Sequence, residues 1–520
     1  MVCWDGLSRH RQSGAVDMQS TPIQNCGRNH SAPGRPGARY GLGVTPDEFR
    51  HHGHDLIDWI ADYLGGAGEP SGVERFAVYP PTVPGDVRSM LPEHPPVAPE
   101  SFDAVMADVE RVVMPHITHW QHPSFFAYFP SNTTYSSILG ELLAAGLGVN
   151  GMSWVTSPAV TEIETLMMDW MVELLGLPAT FLSTSATGGG AIQATASEAT
   201  LTSIIAARWR ATQGAVNADG DTTRLVAYAT SHAHSSIEKG LRIAGIGTDR
   251  LRFVDVDETY AMRPVALRAA ITADLADGLT PFWVCAALGT TSSTAFDPLR
   301  AIGEITREYG LWLHVDGAMS GIAALAPEYR STQDGMELAD SYCTNPHKWM
   351  GVNFDCDLFW TSDRAALLGA LSILPEYLRS QAAGSGRAID YRDWGIPLGR
   401  RFRALKLWFT LRCEGTEVVR QMLRAHIDLA QELAGWVHAD SRFEIVAPHP
   451  HSLVCFRLVG DDALTDALID RSNATGEALF TRTVLDGRSV LRFSVGGRLT
   501  ERRHVEAGWA LLQRIAGELR

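Results

Sequence analysis

The 520-residue sequence is poor in the features that mark several large protein classes. Its seven cysteines, Cys3, Cys26, Cys285, Cys343, Cys356, Cys413 and Cys455, are dispersed, and no CxxC pair occurs. An odd, scattered set of thiols excludes a disulfide framework and a cysteine zinc site, and it points to reduced thiols in a cytoplasm. No apolar run approaches the roughly 18–20 residues that span a bilayer, so no membrane partner is expected. The first 40 residues are polar and lack the apolar core of a signal peptide. Residues 1–44 read as a disordered tail, or as the product of a start codon placed too far upstream. Positive charge is not in excess: 44 Lys+Arg against 59 Asp+Glu leave a net charge of −15, which disfavours nucleic acid as a partner. The Gly188-Gly189-Gly190 segment does not continue into GKS or GKT and is not GxGxxG, so no P-loop or dinucleotide fingerprint is read there, and no internal repeat or heptad is seen. What is present is ordinary for a large folded core, 45% hydrophobic and 20% charged.

Order is expected to begin at Thr45. Thr45-Pro46-Asp47-Glu48 is an N-cap with proline and acids in the first turn. Phe49, Leu56, Ile57, Ile60 and Leu64 recur at helical spacing until Gly65-Gly66. A proline-rich stretch (Pro80, Pro81, Pro84, Pro92, Pro95, Pro96) is expected to be extended. Residues 45–134 thus read as an N-terminal helical arm. In 135–402, Ser157-Pro158 caps a helix ended by Gly176, and apolar runs at 225–229, 282–288, 311–315 and 356–360 read as buried strands separated by helices. That is an α/β domain with a mostly parallel sheet. In 403–520, helices at 403–412 and 417–439, short strands at 443–446, 452–458 and 489–494, and a last helix from 501 read as a small α+β domain.

Four stretches place polar residues at strand ends, where open α/β sheets bind ligands. Asp316 follows a buried apolar strand and must find a partner or cap the next helix. Lys348 stands between His347 and Trp349. In an apolar pocket its amine is nucleophilic, as Schiff-base chemistry requires; with its head in water it is an ordinary surface lysine. Gly188-Gly189-Gly190 through Ala196-Ser197-Glu198 offers small residues and N–H groups at a helix start, a phosphate cradle or a plain capped helix. His232-Ala233-His234 invites a metal reading, but no third ligand of matching spacing is evident, so no metal is expected. His51, His52, His54, His449 and His451 read as solvated or structural. Together a phosphate cradle, a flat imidazole, an acid and a lysine suit pyridoxal 5'-phosphate.

With these residues in view, the sequence resembles the group II pyridoxal-phosphate decarboxylases, and within them the aromatic-L-amino-acid decarboxylases. Asn345-Pro346-His347-Lys348-Trp349 resembles their cofactor-lysine signature. THWQHPSFFAYFP (118–130), SWVTSPAVTEIE (153–164), GGGAIQATASEAT (188–200), AHSSIEK (233–239), ALGTTSSTAFDPL (287–299), HVDGA (314–318), NFDC (353–356) and IPLGRRFRALKLW (396–408) follow in the family's order. The resemblance covers the chain from about Thr45 to the C-terminus.

The resemblance implies the aspartate aminotransferase-like fold type I and a homodimer with shared active sites, the lid and Leu398-Gly399 crossing between subunits. It implies that Lys348 holds the cofactor, His234 stacks on its ring and Asp316 pairs with the ring nitrogen. Ala318 would pack on the ring, Ala196, Ser197, Asn345 and His347 would surround the phosphate, and Thr291 would lie beside it. Ser131 stands where threonine is commoner, with the hydroxyl kept. Tyr377, in a lid at 373–389, would return the proton to Cα. Aldehyde synthases of the family typically carry phenylalanine there, so Tyr377 with His234 implies simple decarboxylation. A decarboxylase of another amino acid is a further reading, and a non-catalytic binding protein a remote one. Trp120, Phe125, Tyr128, Phe129 and Met152 would form an aromatic-substrate pocket. Gly399 implies room for an indole, hence tryptophan among the substrates, with phenolic amino acids also open. Asn150, Met152 and Met319 depart from the commoner residues.

Overall fold

A computed structural model describes residues 43–65, 72–373 and 388–519. The chain divides between Gly53 and His54 into two units. Of the first, the described part holds the opening turns of helix Pro46–Gly65. There Thr45 Oγ1 accepts from the Glu48 N–H (3.3 Å), the N-cap that the sequence predicts, and Glu48 in turn accepts from the Thr45 N–H (2.8 Å).

The larger unit is built on two sheets. The first contains β1 (Gly189–Gln193), β2 (Leu225–Ala229), β3 (Leu251–Phe253), β4 (Thr280–Ala287), β5 (Trp312–Asp316), β6 (Ser341–Thr344) and β7 (Asp357–Thr361), in the order β1-β7-β6-β5-β4-β2-β3. β7 runs antiparallel to both neighbours, and the other pairs are parallel. Alternate residues explain the apolar runs. Val226, Tyr228, Val284, Leu313, Val315, Leu358 and Trp360 pack on one face with Met167, Met171 and Leu175 of helix Pro158–Leu175. Ala227, Ala229, Trp283, Cys285, Trp312, Cys343 and Phe359 pack on the other with Ala199, Ile204 and Ala207 of helix Ala196–Ala211. A sheet covered on both faces needs apolar residues at every position of its strands.

The second sheet is antiparallel, with β8 (Phe443–Ile445), β9 (Leu453–Leu458), β10 (Thr481–Leu485) and β11 (Arg488–Ser494) in the order β10-β11-β9-β8. Its core, including Val454, Phe456, Leu491 and Phe493, meets Leu433 and Val437 of helix Thr416–Ala439 and Trp509 and Leu512 of helix Arg502–Glu518.

Three expectations are corrected. The proline-rich stretch is not wholly extended, because helix Asp86–Met90 forms between Pro84 and Pro92. Ser157 stands at the N-cap position of its helix but makes no capping hydrogen bond from its side chain. The glycines at 188–190 do not cradle a ligand. Gly189 and Gly190 lie within β1, and a Cβ on Gly190 would stand 2.4 Å from Trp360. They admit tryptophan rings, not a phosphate.

Candidate active site

The carboxyl ends of five strands of the large sheet converge on one cavity. β1 leads through Thr195 into helix Ala196–Ala211, β2 into the turn at His234, β4 into Gly289-Thr290-Thr291, β5 into Asp316-Gly317-Ala318, and β6 into Asn345 and Lys348. Thr195, Ala196, Ser197, His234, Thr291, Asp316, Ala318, Asn345, His347 and Lys348 all line it, with Phe129 and Met319. The cavity holds about 230 Å³ and adjoins a depression of about 440 Å³ lined by Trp120, Phe129, Ser131, His347 and Lys348. Small-molecule sites commonly occupy about 300–1,000 Å³, so the two spaces together suit a cofactor with a substrate.

Each wall has a local cause. Asn345 is the N-cap of the short helix Pro346–Trp349, its N–H bonded to the Ala318 carbonyl (2.9 Å), which ties β6 to the loop after β5. Asn132 Nδ2 donates to the Lys348 carbonyl (2.6 Å), fixing the lysine's backbone. Lys348 Nζ lies 5.8 Å from the Phe129 ring centre. Desolvation holds its ammonium below the ordinary lysine range, against the pull of the Asp316 carboxylate. Asp316 Oδ1 accepts from the Ala318 N–H (2.9 Å), so the acid caps its own loop as well as facing the cavity. The Ser236 N–H donates to His234 Nδ1 (3.1 Å), which makes that nitrogen the acceptor and orients the ring. Desolvation lowers the His234 imidazole, opposed by Asp316 and reinforced by the Lys348 charge. His347 Nδ1 lies 2.7 Å from the Cys356 carbonyl oxygen; burial first, and the adjacent Lys348 second, push its imidazole down to about 4. At the start of helix Ala196–Ala211 the first N–H groups have no intrahelical acceptor and carry the positive end of the helix dipole.

The profile of the pyridoxal-dependent decarboxylase conserved domain matches residues 84–459. The chain belongs to this family of pyridoxal-dependent decarboxylases. Its cofactor is pyridoxal 5'-phosphate, its reaction class is that of a carboxy-lyase, and its fold is fold type I of such enzymes. Among curated relatives, tryptophan decarboxylase 2 of Oryza sativa subsp. japonica is 43% identical over 479 residues, 90% of this chain and 95% of that protein. The phenylacetaldehyde synthase of Arabidopsis thaliana is 44% identical over 485 residues, 92% and 97% of the two chains. The crystal structure of Oryza sativa TDC with PLP and tryptamine superposes with a TM-score of 0.88 at 37% identity, covering 92% of this chain and 99% of that one.

The cavity of this decarboxylase fits the cofactor: its wall offers the N–H groups of a helix start, a carboxylate, a desolvated amine and an imidazole. Five expected residues lie elsewhere in the chain. Phe125 is fully buried with Val78, Ala127 and Leu479. Tyr128, at φ 50°, lines another depression with Tyr79 and Phe480 and stacks on Trp120 at 5.6 Å. Met152, Leu398 and Gly399 form another patch around Asn150, whose Oδ1 accepts from the Met152 (3.2 Å) and Arg400 (3.0 Å) N–H groups. Arg400 holds that loop on β1 through Glu164 (2.6 and 2.9 Å) and the Ile192 carbonyl (2.6 Å). Tyr377 lies outside the described residues. His232 does not pair with His234: the stretch is a turn, and His232 packs on Tyr260 at 5.0 Å.

Sequence reading missed Gly289, Thr290 and Phe354 at the cavity, and Arg492 behind it. Arg492 is 4% exposed, its guanidinium lies 5.2 Å from the Phe129 ring centre, and it makes no ion pair with a carboxylate among the described residues. Its charge in the middle of the apolar strand β11 was the available signal.

Proposed function

We propose that the chain converts an aromatic L-amino acid, L-tryptophan foremost, into the arylethylamine and CO2, with Lys348, His234, Asp316 and Tyr377 as the catalytic residues. The observation that carries this reading is the single cavity joining Lys348, Asp316 and His234 to the helix start at Ala196-Ser197. Pyridoxal phosphate bound there supplies an electron sink for the pair left when the Cα–carboxylate bond breaks. Lys348 would hold the cofactor there and would be displaced by the substrate amine. Desolvation lowers the lysine's basicity, which favours the nucleophilic free amine. Ser197 and the first N–H groups of helix Ala196–Ala211, with Asn345 and His347 nearby, hold the phosphate. Asp316 would pair with the nitrogen of the bound ring and favour its protonated form, and His234 would stack on that ring. Trp120 and Phe129 take up the aromatic side chain. Tyr377 delivers the proton to Cα.

The functional unit in this reading is a homodimer with shared sites. Tyr135, Leu139, Leu142, Leu143 and Leu147 expose one apolar side of helix Tyr135–Leu147, and the patch of Met152, Leu398 and Gly399 completes a site in the partner. In this reading residues 45–134 form an arm, 135–402 a cofactor domain and 403–520 a small domain, while the expected tail falls, but for residues 43 and 44, outside the described residues. No helix among the described residues is long and apolar enough to cross a membrane. The free, buried thiols of Cys285, Cys343, Cys356 and Cys455 suit the reducing cytoplasm.

A second reading, oxidative conversion to the aldehyde, is favoured by the similarity to the Arabidopsis thaliana phenylacetaldehyde synthase. Incubation with tryptophan, tyrosine, phenylalanine, DOPA and glutamate separates them. Aromatic amine without peroxide is expected, and Tyr377→Phe shifts the product toward aldehyde with peroxide. Aldehyde and peroxide from the wild type would reverse the assignment of Tyr377.

A further inference from the structure

Three buried side chains at the carboxyl edge of the large sheet share one deficit. Asp357, at the start of β7, is fully buried, and neither of its carboxyl oxygens has a hydrogen-bond partner among the described residues. It stands opposite Gln193 in the β1–β7 pair, and Gln193 Oε1 is also buried and unpartnered. On the other side, β6 and β7 pair Thr344 with Leu358. The next residue, Asn345, is extended and so stands opposite Asp357; Asn345 Oδ1 is the third orphan. Cross-strand neighbours hold their Cβ atoms about 4.5–5.5 Å apart, within reach of side-chain hydrogen bonds. An ionised Asp357 would set a bare carboxylate against two amide oxygens. A neutral one supplies the O–H that the row lacks.

The charges around the row agree with this. Burial raises the Asp357 carboxyl well above the carboxylate range; Asp316 of β5 and Glu198 of helix Ala196–Ala211 push the same way, and Lys348 opposes them. Cys343 and Tyr342 of β6 and the adjacent Cys356 also face Asp357, and burial, the largest cause for each, raises them and holds them in their neutral forms.

We propose that Asp357 is a positioning residue, kept as the neutral acid, that joins Gln193 and Asn345 into one rigid edge beneath the phosphate end of the cavity. Gln193 carries the connection onward. Its Nε2 donates to Thr202 Oγ1 in helix Ala196–Ala211 (3.3 Å) and to the Trp394 carbonyl (3.3 Å). The helix start and Asn345, the two sides of the phosphate cradle, are thereby fixed to each other. This inference rests on the cofactor placement proposed above.

The test compares full-length wild type, Asp357→Asn and Asp357→Ala. Pyridoxal phosphate affinity is titrated by absorbance, and infrared difference spectra of wild type against Asp357→Asn are recorded near neutral pH. Asp357→Asn keeps the shape and an N–H donor without the charge, so its affinity stays close to wild type. Asp357→Ala leaves buried acceptors without a donor and weakens binding about 10–100-fold. The spectra contain the carbonyl band of a protonated carboxylic acid, absent in Asp357→Asn. Equal loss in both variants, or carboxylate bands in place of the acid band, overturns the inference. If Asp357→Ala does not fold, Asp357→Asn and the spectra still decide. A wild type that binds no cofactor, or an absorbance unchanged in Lys348→Ala, refutes the functional reading itself, and this inference falls with it.

Discussion

Asp316 shows how one side chain serves structure and chemistry together. One oxygen caps the turn after β5, and the carboxylate lies close enough to Lys348 and His234 to oppose the desolvation of each. Asp316→Asn keeps the cap acceptor and removes the charge. It is expected to leave cofactor binding measurable while lowering kcat by about 10²–10³, the usual weight of one preorganised electrostatic group. Steady-state kinetics beside a cofactor titration checks this, and an unchanged kcat would remove Asp316 from the mechanism. Lys348, Asp316 and His234 were legible in the sequence because each is a polar residue placed against an apolar run. Gly289, Thr290 and Phe354 were not, since only the folding of their loops brings them to the wall. Phe125 and Tyr128 were misplaced for a related reason. A run of aromatics does not reveal which members point inward, and the positive φ of Tyr128 reverses the alternation there.

At the scale of elements, apolar runs located β2, β4, β5 and β7, where both faces of the strand are buried. They missed β1, whose GGAIQ sequence has little side chain of its own and borrows bulk from Trp360. They also missed the edge strands β3 and β10, where buried residues do not run consecutively and Phe253 and Val484 are exposed. Helix packing depends on similar economies of size. A Cβ on Gly140 of helix Tyr135–Leu147 would stand 2.8 Å from Lys406 Cα and 3.2 Å from the Leu405 oxygen of helix Arg403–Cys413. Both obstacles are backbone, so the helices must separate, straining the buried contact of Lys406 with Glu141 (2.9 Å). Gly140→Ala is expected to cost about 1–3 kcal/mol, seen as a lower Tm, despite alanine's better helix propensity. A higher Tm would contradict this packing.

For the whole molecule, buried histidines set the response to acid. Burial pushes His314, His426 and His451 down to about 4. Their unfolded values lie near 6.5, so the unfolded chain takes up these protons first as pH falls. Stability is complete above that value, declines as pH drops toward 4, and loses up to about 3 kcal/mol per histidine. His451 has no partner for either ring nitrogen among the described residues and packs edge-on against Phe296 (4.9 Å) and Tyr329 (5.5 Å). His451→Phe should therefore flatten the fall of Tm with acid; a slope equal to wild type would place the sensitivity elsewhere.

The central claim is that Lys348 and its cavity break the bond between Cα and the carboxylate of an aromatic amino acid. The most direct measurement is CO2 release from carboxyl-labelled L-tryptophan by the cofactor-loaded wild type and by Lys348→Ala, with the amine quantified in parallel. The account predicts CO2 and tryptamine in equal amounts from the wild type, and at least about a thousandfold loss in the variant. Release from Lys348→Ala at a rate near wild type would contradict it.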